Sequence, residues 1–157
     1  MTRLAVFLAT AAYSGYSPIA PGTVGSAVGL VVYAAIRWID PPYFSAVELA
    51  LSGCLFAAGV WAGTTAERYF GGIDPGPIVL DEVVGMLLTL ALIPVGVSAA
   101  LAGFFLFRLF DVIKPFPARR FEALHGGLGV MSDDAMAAVY ANVSLRLLMF
   151  IAPGWIG

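Results

Sequence analysis

The side chains best suited to chemistry are carboxylates that border apolar segments. They are Asp81, Glu82, Asp111, Asp133 and Asp134. Five oxygen donors, with a single histidine and without cysteine ligands, suit a hard cation such as Mg²⁺ and disfavour zinc. Either adjacent pair alone is explained by the dipole of a following helix, with Ser132 as N-cap of the second. The prediction of a metal site therefore depends on all five carboxylates meeting at one place.

Basic residues follow in a pattern that predicts phosphate binding. Arg108, Asp111 and Lys114 are spaced i, i+3, i+6 and share one face of a helix that Pro115 and Pro117 end. A surface ion-pair ladder, or retention of the loop on one side of a membrane, is the simpler explanation. Neither explains the central aspartate and the rigid K-P-F-P segment. A phosphate clamp explains both, and the nearby Arg119 is a candidate member.

Two glycine-bearing turns are further candidates for anion binding. P-G-T-V-G-S (21–26) precedes one apolar segment and H-G-G-L-G (125–129) precedes the last. Backbone amides of Gly126 and Gly127 could contact a phosphate, as could the hydroxyl of Thr23 or Ser26. Taken singly, each turn is also compatible with a flexible loop, and neither matches a P-loop or a dinucleotide-binding motif. His125, the only histidine, is either a loop residue or a proton donor.

Composition places the chain in a membrane. It is 61% hydrophobic and 11% charged, with a mean hydropathy of +0.93. Apolar segments cover about 24–39, 44–63, 83–107 and 135–152, and each approaches the roughly 20 residues of a membrane-crossing helix. We expect one all-α domain over 1–157, an integral membrane bundle of about four to five segments. The net charge of −2 argues against nucleic acid as a partner.

The segment 83–107 decides whether the charged residues meet. As one helix it would place Glu82 and Arg108 on opposite sides of the membrane. As two short helices turning at 94–98, where Pro94 disfavours helix, it returns them to one face. The hairpin also brings most basic residues to that face. By the positive-inside rule, the face with more basic residues is the cytoplasmic one. These residues are Arg3, Arg68, Arg108, Lys114, Arg119 and Arg120.

Four motifs together resemble the phosphatidylglycerophosphatase A family over nearly the whole chain. They are S-P-I-A-P-G-T-V-G-S (17–26), V-L-D-E-V-V-G-M (79–86), F-R-L-F-D-V-I-K-P-F-P (107–117) and H-G-G-L-G-V-M-S-D-D (125–134), followed by A-M-A-A-V-Y-A-N (135–142). The chain departs from the family pattern at Ala138, where a glycine is expected, and in the Gly/Pro-rich loop 71–77. Neither departure touches the predicted metal ligands, although the loop could affect headgroup recognition.

The resemblance implies Mg²⁺-dependent hydrolysis of phosphatidylglycerophosphate to phosphatidylglycerol and phosphate, at the cytoplasmic face of a bacterial inner membrane. The five carboxylates would hold one or two ions. Lys114 and Arg108 would stabilise the phosphoryl group, with help from Arg119 and from the Gly126 and Gly127 amides. His125 would donate a proton to the leaving alkoxide. Membrane lipids are the expected surroundings.

Several alternatives stay open from the sequence. The nucleophile is water or an aspartate, Asp111 or Asp133. Phosphatidic acid could replace the expected substrate, and oligomeric state is undetermined. A non-enzymatic protein that binds anionic lipids, an ion transporter and a lipid phosphotransferase are the rival classes. A transporter would distribute its acids through the membrane depth, whereas the span interiors here contain only Glu48 and Arg146.

Overall fold

The computed structural model describes residues 1–39, 43–93, 95–121, 124–152 and 154, and their regular structure is entirely helical. The helices are α1 (Thr2–Ala9), α2 (Pro21–Ile39), α3 (Phe44–Phe70), α4 (Leu80–Leu90), α5 (Val97–Ile113), α6 (Ala118–Phe121) and α7 (Gly127–Ile151), with one 3₁₀ turn at Ser14–Tyr16.

Three helices, α2, α3 and α7, are long and apolar enough to cross a membrane. This confirms the predicted all-α membrane architecture. The helices α4 and α5, with 11 and 17 residues, are shorter. Whether they count among the four to five predicted segments stays a prediction.

The segment 83–107 forms a hairpin rather than one helix. The helix α4 ends at Leu90 and α5 starts at Val97; Pro94, on which the prediction relied, lies outside the described residues. Gly85 lies against the Phe107 ring, and Gly103 lies against Leu90, so the two helices run antiparallel. The hairpin prediction is confirmed.

Contacts between helices bring their functional ends together. Gly25 of α2 packs on Val79, just before α4, and Gly63 of α3 lies against Gly127 at the start of α7. Three helices, α2, α4 and α7, therefore begin at the end of the bundle where α3 and α5 finish. We call this the site end.

Small residues make these close approaches possible. A Cβ at Gly29 in α2 would lie 2.7 Å from the Met86 Cβ in α4, and one at Gly63 would lie 3.0 Å from the Gly127 Cα. Glycine pairs four residues apart, such as Gly25 and Gly29, are typical of helices that pack backbone to backbone in membranes.

The far end of α4 is held by α7. The Asn142 Nδ2 donates to the carbonyls of Leu88, Thr89 and Ala91 at 3.4, 2.9 and 3.0 Å. The Arg146 Nη2 donates to Ala91 and Leu92, both at 3.3 Å. The last carbonyls of a helix lack intrahelical partners, and in an apolar layer they need internal ones. These two side chains therefore fasten the turn of the hairpin.

We expect Asn142→Ala to lower the free energy of unfolding by about 1 to 3 kcal/mol, because the buried Thr89 carbonyl loses its side-chain donor and the Leu88 and Ala91 carbonyls each lose one of two donors. Reversible denaturation in detergent micelles measures this change. The control is Val143→Ala, which truncates the neighbouring residue, a side chain that is largely exposed. Equal stability of the two variants would show that Asn142 does not fasten the hairpin.

Candidate metal and phosphate site

Three of the five predicted carboxylates meet at the site end. Oxygen atoms of Asp81, Glu82 and Asp134 all lie within 4.8 Å of one another. Asp81 and Glu82 occupy the first turn of α4, and Asp134 occupies the second turn of α7. Asp81 and Asp134 are buried and Glu82 is nearly so. We call these three residues the carboxylate cluster.

The carboxylate cluster has the properties of a cation site. One oxygen of each residue (Asp81 Oδ1, Glu82 Oε2 and Asp134 Oδ2) is buried without a hydrogen-bond partner. Buried acceptors without partners cost free energy, and like charges at this separation repel one another. A bound cation would remove both penalties. The residues present therefore fit a metal ion with oxygen ligands.

Burial alters the acidity of the cluster where α4 begins. Desolvation raises the pKa of Asp81 well above its ordinary value, and the neighbouring charges of Glu82 and Asp134 add to the rise. Desolvation also raises the pKa of Glu82 to about 7, which a hydrogen bond with Asp81 and the charge of Arg108 partly oppose and the charge of Asp111 reinforces. In the absence of a cation, the site thus resists full ionisation.

Arg108 connects the carboxylate cluster to α2 and α5. Its Nη1 lies 2.7 Å from Asp111 Oδ2, 3.9 Å from Glu82 Oε1 and 3.4 Å from the Ser26 hydroxyl oxygen. Asp111 also lies beside Asp134. The guanidinium is therefore held at the edge of the cluster by carboxylates from two helices.

Lys114 makes a second ion pair with the remaining acid. Its Nζ lies 2.6 Å from Asp133 Oδ2. Lys114 ends α5 in the left-handed conformation, and the Tyr140 hydroxyl donates to the Phe116 carbonyl at 2.7 Å, which ties the K-P-F-P segment to α7. Adjacent residues on a helix point in different directions, so Asp133 faces Lys114 whereas Asp134 faces the carboxylate cluster.

The predicted start of the last helix is wrong. The helix α7 begins at Gly127, so Ser132 is not its N-cap and the aspartates lie in the second turn. The Thr64 hydroxyl of α3 accepts the Gly127 amide at 2.9 Å, which allows the helix to begin within the glycine-rich segment. The use of this amide also weighs against its binding a phosphate.

Three predicted residues have no described hydrogen bond or ion pair with the carboxylate cluster. Thr23, Arg119 and His125 are exposed, and none of the three has a described hydrogen bond or ion pair. Ser26, the alternative to Thr23, is buried and contacts Arg108. Gly126 adopts a positive φ of 69° in the turn before α7.

The sequence analysis missed the packing role of the first glycine turn. It is the beginning of α2, and a Cβ at Gly22 would overlap Glu82 Oε1 and lie 3.1 Å from both terminal nitrogens of Arg108. Because Gly22 has no side chain, it leaves room for the Glu82 carboxylate and the Arg108 guanidinium. The spacing of Gly22 and Gly25 with Ser26 and Gly29, four residues further on, is the signal that could have revealed this packing.

We expect Gly22→Ala to displace the Glu82 carboxylate and reduce catalytic turnover more than tenfold, with little loss of stability, because the clashing atoms are flexible side-chain ends. Turnover and denaturation measured on the same preparation test this. Gly53→Ala is the control, since no atom lies within 4 Å of the added Cβ. Full activity of Gly22→Ala would contradict the packing role.

Taken together, the fold and the site define an all-helical protein with three helices long and apolar enough to cross a membrane, a buried carboxylate cluster that fits a cation, and two adjacent basic side chains. The phosphatidylglycerophosphatase A family model matches residues 7–149. The chain belongs to this family.

Two relatives carry the name of the family, and a third carries the name of another lipid phosphatase. The chain is 37% identical to a phosphatidylglycerophosphatase A of Escherichia coli, over 90% of the chain and 80% of the relative, and 38% identical to one of Haemophilus influenzae, over 87% and 83%. It is 35% identical to a Bacteroides thetaiotaomicron protein, provisionally named a phosphatidylinositol-3-phosphatase, over 94% and 95%. No solved structure matches the chain significantly.

Proposed function

We propose that the chain hydrolyses the terminal phosphomonoester of phosphatidylglycerophosphate, releasing phosphatidylglycerol and inorganic phosphate. Membership of the phosphatidylglycerophosphatase A family supports the reaction and the substrate. The observation that carries the chemistry is the carboxylate cluster with Arg108 at its edge. This arrangement joins a cation site to a side chain that binds phosphate bidentately.

The cofactor is Mg²⁺, held by Asp81, Glu82 and Asp134. When bound, it would neutralise phosphate charge and lower the pKa of an attacking water. An all-oxygen ligand set supports a hard cation. Asp111 and Asp133, the other predicted ligands, are each ion-paired with a basic side chain, so they border the metal position and do not complete it.

Arg108 and Lys114 stabilise the phosphoryl group. Asp111 and Glu82 hold the Arg108 guanidinium in place before substrate binds, and preorganised donors of this kind stabilise developing charge effectively. Lys114, held by Asp133, adds a point charge. Ser26 orients Arg108 through its buried hydroxyl.

The nucleophile is a water molecule or a carboxylate of Asp111 or Asp133. Each of these aspartates is held in position by a basic side chain, as a positioned general base or nucleophile requires. His125 and Arg119 remain candidates for contacts with the leaving group and headgroup, because both side chains are exposed.

The site lies at an end of three membrane-spanning helices, which suits a substrate whose acyl chains stay in the bilayer. We place it at the cytoplasmic face of a bacterial inner membrane. Five of the basic residues that support this orientation (Arg68, Arg108, Lys114, Arg119 and Arg120) belong to segments at the site end, and Arg3 belongs to α1, which packs on the same half of α3.

Detergent-purified protein should release phosphate from phosphatidylglycerophosphate with Mg²⁺ and not with EDTA. Asp111→Asn should retain less than about a tenth of the rate, which corresponds to a barrier increase above about 1.4 kcal/mol, because it releases Arg108. Glu67→Gln, an acid at the same end of α3, is the control. Phosphatidic acid and phosphatidylinositol 3-phosphate serve as parallel substrates. Absence of release by folded protein would refute the phosphatase.

Removal of one charge from the carboxylate cluster should have opposite effects with and without Mg²⁺. Without divalent cations, Asp81→Asn should unfold at a temperature a few degrees higher than wild type, because repulsion and desolvation decrease. Mg²⁺ at about 100 times its Kd should stabilise wild type by about 2.7 kcal/mol and the variant far less. Thermal unfolding in detergent measures both effects. An equal response to Mg²⁺ in both proteins would place the ion elsewhere.

A further inference from the structure

A cavity lined by tyrosines and an arginine lies at the site end, outside the carboxylate cluster. Its volume is about 660 Å³, and it is lined by Thr2, Arg3, Val6, Tyr13, Tyr16 and Tyr69. These residues come from α1, from the turn after α1 and from the last turn of α3. None of them belongs to the proposed catalytic machinery. We call this space the tyrosine cavity.

Ring contacts fix the wall of the tyrosine cavity. Phe7 meets Tyr13, Tyr13 meets Tyr16, and Tyr16 meets Phe70, with ring centroids 5.3, 6.0 and 6.1 Å apart. Phe70 in turn meets Tyr69 at 5.1 Å. Contacts at these distances are attractive. The three tyrosines are thus held in one continuous set of rings rather than scattered over the surface.

The turn that carries Tyr13 is held in an unfavourable backbone conformation. Ala11, Ala12 and Tyr13 have φ of 43°, 56° and 70°, a left-handed run that side chains with a Cβ disfavour. The Thr10 hydroxyl accepts the Tyr13 amide at 3.1 Å and so helps to hold the turn. Strain of this kind is frequent at ligand-binding positions, and here it directs Tyr13 into the cavity.

Arg3 gives the tyrosine cavity its charge. Arg108 and Lys114 are ion-paired, but Arg3 has no hydrogen bond or ion pair with any described residue. A guanidinium beside phenol hydroxyls provides a fork of donors and additional O–H donors, the groups that bind a phosphate. Tyrosine and arginine are also typical of the membrane–water boundary, and exposed Leu4 and Phe7 offer apolar surface alongside.

We propose that the tyrosine cavity binds the phosphate of an anionic phospholipid that is not being hydrolysed. The lipid phosphate would contact Arg3 and the phenol hydroxyls, and its acyl chains would lie along α1. The cavity adjoins the catalytic site through backbone contacts: the Val79 amide, one residue before α4, donates to the Ala9 carbonyl at 2.9 Å. Binding there does not require catalysis, so this proposal stands or falls independently of the phosphatase.

Native mass spectrometry of the full chain in detergent, titrated with phosphatidylglycerol, tests the proposal. We expect Arg3→Gln to weaken the tightest lipid-binding step about tenfold, because a bidentate contact with phosphate is lost. The matched control is Arg68→Gln, which removes an exposed arginine at the same end of the bundle from outside the cavity. Tyr69→Phe, which removes only a hydroxyl, should weaken binding less than Arg3→Gln does.

Two further measurements distinguish loss of a lipid site from misfolding of the variant and from binding of a free phosphate compound. Unchanged thermal unfolding of Arg3→Gln would show that the variant is folded, and thus that lost lipid binding reflects the site. Glycerol 3-phosphate added at the lipid concentration should not displace the bound phosphatidylglycerol. Equal lipid binding by wild type and Arg3→Gln, an equal loss in Arg68→Gln, or displacement by glycerol 3-phosphate would each overturn the proposal.

Discussion

The rest of the structure must hold three buried carboxylates close together against their mutual repulsion. Asp81, Glu82 and Asp134 crowd together with buried oxygens that lack hydrogen bonds, an arrangement that is unfavourable without a cation. Other features act to hold it. The glycines of α2 permit the approach to α4, the hairpin returns Arg108 to the cluster, and α7 runs beside α4 so that its second turn reaches the same place.

The relative position of α4 and α7 is fixed at two levels. Oxygen atoms of Asp81 and Asp134 lie close together at the site end, and the Asn142 Nδ2 donates to the Thr89 carbonyl farther along. Each pair of positions is eight residues apart on its own helix, a rise of about 12 Å. The contact at Asn142 thus sets the register in which the carboxylates meet, so one polar side chain far from the chemistry supports its geometry.

The sequence predicted the large-scale arrangement because it depends on composition and on helix breakers. Apolar segments indicated a membrane bundle, and Pro94 with the positions of Arg108 and Glu82 indicated a hairpin. The sequence did not predict the finer geometry. Whether Asp133 or Asp134 faces the cluster depends on the rotation of α7, and the start of that helix depends on Thr64, which is 63 positions away from Gly127. Such distant contacts leave no pattern in one chain.

The short length of α4 has a consequence for the bilayer itself. Eleven residues rise about 16 Å, roughly half the thickness of the hydrocarbon layer. The helix α4 is therefore too short to cross that layer by itself, whereas α2, α3 and α7 are long enough to do so. A bilayer beside so short a helix would thin to match it, and water would accompany a guanidinium such as that of Arg146 into the hydrocarbon layer.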